Sequence, residues 1–219
     1  MELIPVIEIG YNNQGLTVPD KYPYWDNPEV WDAYHEESYQ KAGFKDKFIP
    51  YLKGSSLYKF SDITDSNLAK LVIDQTQEMR DGKLERQQVS AFFGGYVLRV
   101  DEQDKYFPQC CGTLSDIVYW DKLANEQISS YEGHPSPQIK FEGRNIIFDF
   151  STDEFDEHFQ PTPVENIFSI DRFELKKAVE KVKAELLIFE KRLKKINEKD
   201  RLGIDNIGAI LIWENKSCE

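Results

Sequence analysis

Between residues 171 and 199, in "DRFELKKAVEKVKAELLIFEKRLKKINEK", Leu175, Val179, Val182, Leu186, Phe189, Leu193 and Ile196 recur at spacings of four and three. That period belongs to one helix with a narrow apolar stripe. At about 1.5 Å of rise per residue, such a helix needs cover along most of its length. The cover comes either from its own chain or from a second copy across a coiled-coil seam. Phe173, Leu187 and Ile188 add apolar bulk beside the stripe. They favour packing within one chain, with a helix-mediated regulatory homodimer as the other arrangement.

This helix also divides the charge. Residues 171–199 hold ten Lys/Arg and six Asp/Glu, a net of +4, whereas the whole chain carries −12, so the other 190 residues carry −16. A protein that grips nucleic acid replaces counterions with Lys and Arg, and a body this acidic would repel the phosphates. Anionic membranes are disfavoured for the same reason. No apolar run approaches the roughly 18 residues of a span, and "MELIPVIEIGYNNQG" lacks the layout of a secretory signal. With three cysteines, a reducing cytoplasm is the expected compartment. A basic protein partner, drawn in by long-range attraction, suits the charge.

The rest of the chain alternates strands and helices. "ELIPVIEIG" alternates apolar and polar residues and predicts a strand ending at Gly10. "DNPEVWDAYHEESYQKAGF" predicts a helix: Asn27 can cap it, Pro28 opens it and Gly43 can end it. A second helix is predicted over Asp65–Met79 from Leu68, Leu71, Val72 and Met79. "QVSAFFGGYVLRVDEQDKYFPQ" reads as a hairpin turning at "DEQD", with Gly94-Gly95 marking a bulge or a close approach. "TLSDIVYWDKL" reads as a short helix opened by Thr113 or Ser115. A second hairpin follows, "IKFEGRNIIFDF", turning at Glu142-Gly143-Arg144. An acidic loop then leads into the long helix, and "IGAILIWEN" is expected to be a final strand, with an apolar helix as the alternative. The order predicts one α+β domain over residues 1–219: a mixed or antiparallel sheet with two hairpins, flanking helices and one long C-terminal amphipathic helix.

Chemistry is less legible. The phosphate loop, the dinucleotide fingerprint, the serine elbow and the EF-hand loop are all missing. "HEESY" at His35 lacks the second histidine of a zinc protease, since Tyr39 stands there. Cys110 and Cys111, in "YFPQCCGTLSDI", admit several readings. Adjacent Cα atoms lie about 3.8 Å apart, under the usual disulfide span. As zinc ligands they have no second pair at ligand spacing, with His35, His134, His158 and Cys218 scattered along the chain. As a nucleophile, a cysteine before a helix could use His134 or His158 as base. Burial as small apolar side chains is the preferred reading, so no catalytic residue, metal or cofactor is assigned.

Two stretches offer partner contacts. "DFSTDEFDEHFQPTP" sets Asp149, Asp153, Glu154, Asp156 and Glu157 among Phe150, Phe155 and Phe159. Carboxylates there can meet a partner's Lys or Arg while the rings supply apolar contact; a divalent-metal loop or a solvated loop anchored by its phenylalanines are the alternatives. Tyr22, Tyr24 and Trp25 precede the first helix, and Tyr and Trp are favoured interface anchors. Trp31 is expected in the core. The expected partner surface is therefore Asp153, Glu154, Phe155, Asp156, Glu157, Tyr22, Tyr24 and Trp25.

At "GGYVLRVDEQDKYFPQCCGTLSDIVYW", around Gly94-Gly95 and Pro108-Gln109-Cys110-Cys111-Gly112, the chain resembles immunity proteins of bacterial polymorphic-toxin and type VI secretion systems. The likeness covers residues 94–120 and contains no catalytic signature. It implies an acidic, cytoplasmic, non-enzymatic protein that binds one cognate toxin in bacterial competition. The alternative from another class is a hydrolase or nuclease using the 149–158 carboxylates with a metal, or Cys111 with a histidine.

Overall fold

In the computed structural model, which describes residues 1–130, 133–151 and 157–214, the chain is mixed α+β with antiparallel sheets of four and three strands. It divides into two compact units: residues 1–5 with 93–188, and residues 6–92 with 189–219.

In the first unit, β3 (Gly94–Val100) and β4 (Gln103–Tyr106) form an antiparallel hairpin. Asp101 and Glu102 make its turn, both with positive φ, as the twist of a two-residue hairpin demands. The irregularity of this hairpin lies between Leu98 and Arg99, not at the two glycines. Gly95 serves a close approach instead: a Cβ there would meet the Pro108 side chain at 3.2 Å, and its φ is +128°. Thr113 caps the following turn, accepting from Ser115 N–H, and α3 (Ile117–Asn125) follows.

The second sheet is β5 (Gln138–Glu142), β6 (Asn145–Asp149) and β7 (Ile167–Asp171) in that order. The β5–β6 turn falls at Gly143-Arg144, inside the predicted triplet. The strand β7 has no forewarning in the sequence; "IFSID" is short and runs straight into the long helix. Its alternation buries Phe168 and Ile170 and exposes Ile167 and Ser169. Phe168 sits directly opposite Phe148, rings stacked at 5.1 Å, and Ile170 opposite Ile146. Cross-strand pairs of this kind stabilise a sheet by roughly 0.2–1 kcal/mol each. Trp120, Phe150 and Phe159 complete an aromatic cluster.

In the second unit, residues 6–8 of the strand β1 (Glu2–Glu8) pair with β2 (Leu57–Lys59), Ile7 facing Tyr58. Helix α1 (Pro28–Lys41) buries Trp31, Tyr34, His35, Ser38 and Tyr39 along one face. Asn27 stands at its N-cap position but donates to Pro23 O rather than capping. Thr64 caps α2 (Asp65–Arg80), accepting from Asn67 N–H. The buried Asn67 side chain in turn accepts from Lys45 and Asp46 N–H and donates to Asp46 O. Both its oxygen and its nitrogen are thereby engaged, which is what burial requires.

Helix α4 (Arg172–Lys199) is the long element, and all seven seam residues are buried within a single chain. Phe173, Leu187 and Ile188, expected beside the seam, lie exposed; they fall outside the stripe that the four-three spacing defines. In the second unit, Phe189 packs on Phe60 and Phe92. Arg192 donates to Phe60 O and Ile63 O and pairs with Asp65 at 2.8 Å. The expected terminal strand is instead α5 (Ile207–Leu211). A short apolar run has no period to separate strand from helix. Here Ile207, Ile210, Leu211 and Ile212 are all buried, so both faces of the run are covered.

Candidate functional site: a thiol–imidazole–carboxylate cluster

The segment Gln109–Gly112 is a tight turn, closed by Gly112 N–H donating to Gln109 O at 3.1 Å. Cys111 occupies its third position with φ +69°, where turns of this kind favour glycine. Left-handed backbone at a non-glycine residue costs about 1–2 kcal/mol, and such strain collects at functional sites. Both cysteines are exposed. The burial expected of them therefore fails, because the turn projects their side chains outward instead of into the aromatic cluster.

Two other segments converge on this turn. His134 N–H donates to Cys110 O at 3.3 Å, an isolated β-bridge that brings the imidazole alongside. The amide of Gln109 donates to Gln160 O at 3.1 Å and accepts from Gln160 N–H at 2.9 Å, which draws the 157–160 segment in. Pro137 and Phe159, flanking these contacts in sequence, are buried and anchor their segments.

Together they assemble a line of four functional groups. Cys110 Sγ lies 3.3 Å from Cys111 Sγ, and Cys111 Sγ lies 3.9 Å from His134 Nε2. On the far side of the ring, His134 Nδ1 meets Glu157 Oε2 at 2.5 Å. A carboxylate on Nδ1 holds the proton there and leaves the Nε2 lone pair directed at the thiols. Cys110, Cys111 and His134 offer three ligand atoms that all lie within 4.8 Å of one another. The groups suit either of two chemistries: a soft metal site, or a thiol with a base and its orienting acid.

The expected partner-binding residues fare differently. Asp153, Glu154, Phe155 and Asp156 lie outside the described residues. Glu157 is engaged with His134, and Phe150 and Phe159 are buried anchors. Tyr22 is exposed, with its ring 5.0 Å from that of Trp31. Tyr24 and Trp25 are half-buried against each other at 4.7 Å. Trp31 is buried, as expected, and its indole N–H donates to Lys21 O. Cys218 lies outside the described residues, and His158 is exposed.

A cleft unmarked in the sequence lies in the second unit. It measures about 290 Å³, and its walls include Tyr39, Phe44, Phe48 and Tyr58, with His35 and Glu36 among its polar lining. Burial lowers the pKa of His35, partly countered by Asp32. Its Nδ1 is buried without a hydrogen-bond partner. Tyr58 donates to the Tyr39 hydroxyl, which donates to Ile9 O; burial raises both tyrosine pKa values, so both stay protonated.

Compared with family models, with curated proteins and with solved structures, the chain matches none. No described helix is long and apolar enough to cross a membrane.

Proposed function

We propose that the protein works by binding, as an immunity-type protein that captures a basic protein toxin. The observation that carries this reading is the charge of the first unit. Residues 1–5 and 93–188 hold nineteen Asp/Glu against ten Lys/Arg, and five of those cations belong to α4. Of the remaining five, Arg99 is paired with Asp104, Lys105 with Glu165 and Arg144 with Asp171. Carboxylates thus outnumber cations by nearly two to one in this unit, and a basic partner supplies the charge it lacks. Such complementarity acts mainly on the rate of association. The resemblance over residues 94–120 supports the same reading.

The test is stopped-flow association with a basic toxin encoded beside this gene. Raising salt from about 50 to about 500 mM is expected to slow association at least tenfold while changing dissociation little. The exposed carboxylates Asp101, Glu102 and Glu142 give the matching variant: Asp101→Asn, Glu102→Gln and Glu142→Gln together reduce the on-rate. An association rate indifferent to both salt and these substitutions overturns the electrostatic account. Failure of such a toxin to bind at all overturns the function.

A further inference from the structure

We infer that Cys110, Cys111 and His134 form a zinc site, with Glu157 as the carboxylate that orients the histidine. Its residues are distinct from Asp101, Glu102 and Glu142, the carboxylates whose substitution tests partner binding. Zinc takes thiolates at about 2.3 Å and imidazole nitrogen at about 2.0–2.1 Å, so ligand atoms in a tetrahedral site are separated by about 3.5–3.8 Å. The thiols stand 3.3 Å apart and the nearer thiol stands 3.9 Å from Nε2. These two separations lie within a few tenths of an ångström of the tetrahedral values, and the third pair, Cys110 and His134, lies within 4.8 Å, so closing the site takes side-chain rotation at Cys110. Two sulfurs and one nitrogen select a borderline-soft cation over Mg²⁺ or Ca²⁺, which take oxygen ligands.

The second observation is Glu157. Metal-bound histidines commonly hand their other ring nitrogen to a carboxylate, which fixes the tautomer and raises the basicity of the ligating nitrogen. His134 already has that arrangement, at 2.5 Å. The third is the backbone. Cys111 occupies a left-handed position in the Gln109–Gly112 turn, and glycine there would remove the strain but also the ligand. The second thiol distinguishes a metal from a lone nucleophile. Activation by His134 and Glu157 involves Cys111 alone, whereas two thiolates together balance the charge of a divalent cation. Binding converts two thiols to thiolates and releases two protons, with the imidazole bound neutral. Three protein ligands leave a fourth position for water or a donor from another molecule. The ion would tie the Gln109–Gly112 turn to the His134 segment directly and to Glu157 through the ring.

The experiment uses the full reduced chain with Zn²⁺, and Co²⁺ as a spectroscopic probe. Native mass spectrometry is expected to show one zinc per chain, displacing two protons. Co²⁺ is expected to give the near-ultraviolet absorption of thiolate ligation. In chelator competition, Cys110→Ser, Cys111→Ser and His134→Ala each lose at least about 100-fold in affinity, and Glu157→Gln loses about 10–100-fold. Affinity falls on acidification with the release of about two protons per ion. Circular dichroism of the metal-free variants verifies that they remain folded. If His134→Ala does not, the two exposed cysteine variants decide. The proposal is overturned if micromolar Zn²⁺ does not bind, or if binding survives in Cys111→Ser. It is equally overturned if iodoacetamide alkylates Cys111 as fast with saturating Zn²⁺ as without. That last outcome would assign the residues to thiol nucleophile chemistry.

Discussion

His35 and His134 stand in opposite surroundings. His35 is 8% exposed, boxed by the rings of Trp31, Tyr34 and Tyr39, with one ring nitrogen unpartnered. His134 is half-exposed, with Glu157 on one nitrogen and a thiol facing the other. Helix α1 buries the His35 ring by helical spacing alone, whereas His134 is positioned by contacts with two other segments. The contrast teaches that burial and chemical readiness are separate properties. Packing can hold a histidine with one nitrogen unpartnered, at a cost in stability, while a reactive or ligating one needs both nitrogens committed at a surface where an ion or substrate can arrive.

Breaking the buried side of this comparison has the largest expected effect. Leu186, fully buried on α4, sets the scale: Leu186→Asp should cost about 3–5 kcal/mol, enough to unfold a marginal protein. Urea denaturation of the monomer measures it. A folded monomer released from a wild-type dimer would contradict the burial of the seam within one chain. His35→Ala should cost about 2–3 kcal/mol through the cavity it leaves. His35→Leu should cost far less, because it fills the space and removes the nitrogen that has no partner. Equal losses in the two variants would mean that the imidazole nitrogen is satisfied in solution.

The pH dependence of stability sharpens the same contrast. Burial lowers the His35 pKa in the folded state, so below about pH 6.5, the usual value, the unfolded chain binds a proton that the folded chain refuses. Stability is therefore present at neutral pH and declines as pH falls from about 6.5 towards the lowered folded value. Melting temperatures of wild type and His35→Leu between about pH 5 and 8 check this, and His35→Leu should flatten the decline. The smallest effect belongs to the exposed turn. Cys111→Gly should raise metal-free stability by about 0.5 kcal/mol, the left-handed strain relieved less the added entropy of glycine. The same substitution should abolish zinc binding. A loss of stability there would mean that the thiol packs after all.

Much of the fold is legible in the sequence. The α4 seam, α1, α2, both hairpins and the turn near Gly143 follow from periods and punctuation that a chain carries locally. The misses share a cause. β2 and β7 are three and five residues long, too short to display a period. The terminal run "IGAILIW" is apolar on every face, so nothing local separates strand from helix. The candidate site is half legible. "QCCG" stands out, and His134 is one of two histidines that sequence reasoning offers as a base. Glu157 reads as a docking carboxylate because its sequence neighbours are acidic, and its contact with His134 is visible only in the structure.

The sequence by itself determined which longer segments are helical or extended, that the seven seam residues are buried, and how charge divides between α4 and the remainder. These are properties of neighbours within a few residues, set by side-chain spacing, caps and turns. Only the tertiary structure decided that Cys110, Cys111, His134 and Glu157 meet. The pairs they form are 23 residues apart in both steps, Cys111 to His134 and His134 to Glu157. Contacts at that separation depend on the Cys110–His134 bridge and the Gln109–Gln160 pair of hydrogen bonds, each made by groups whose partners no local pattern names.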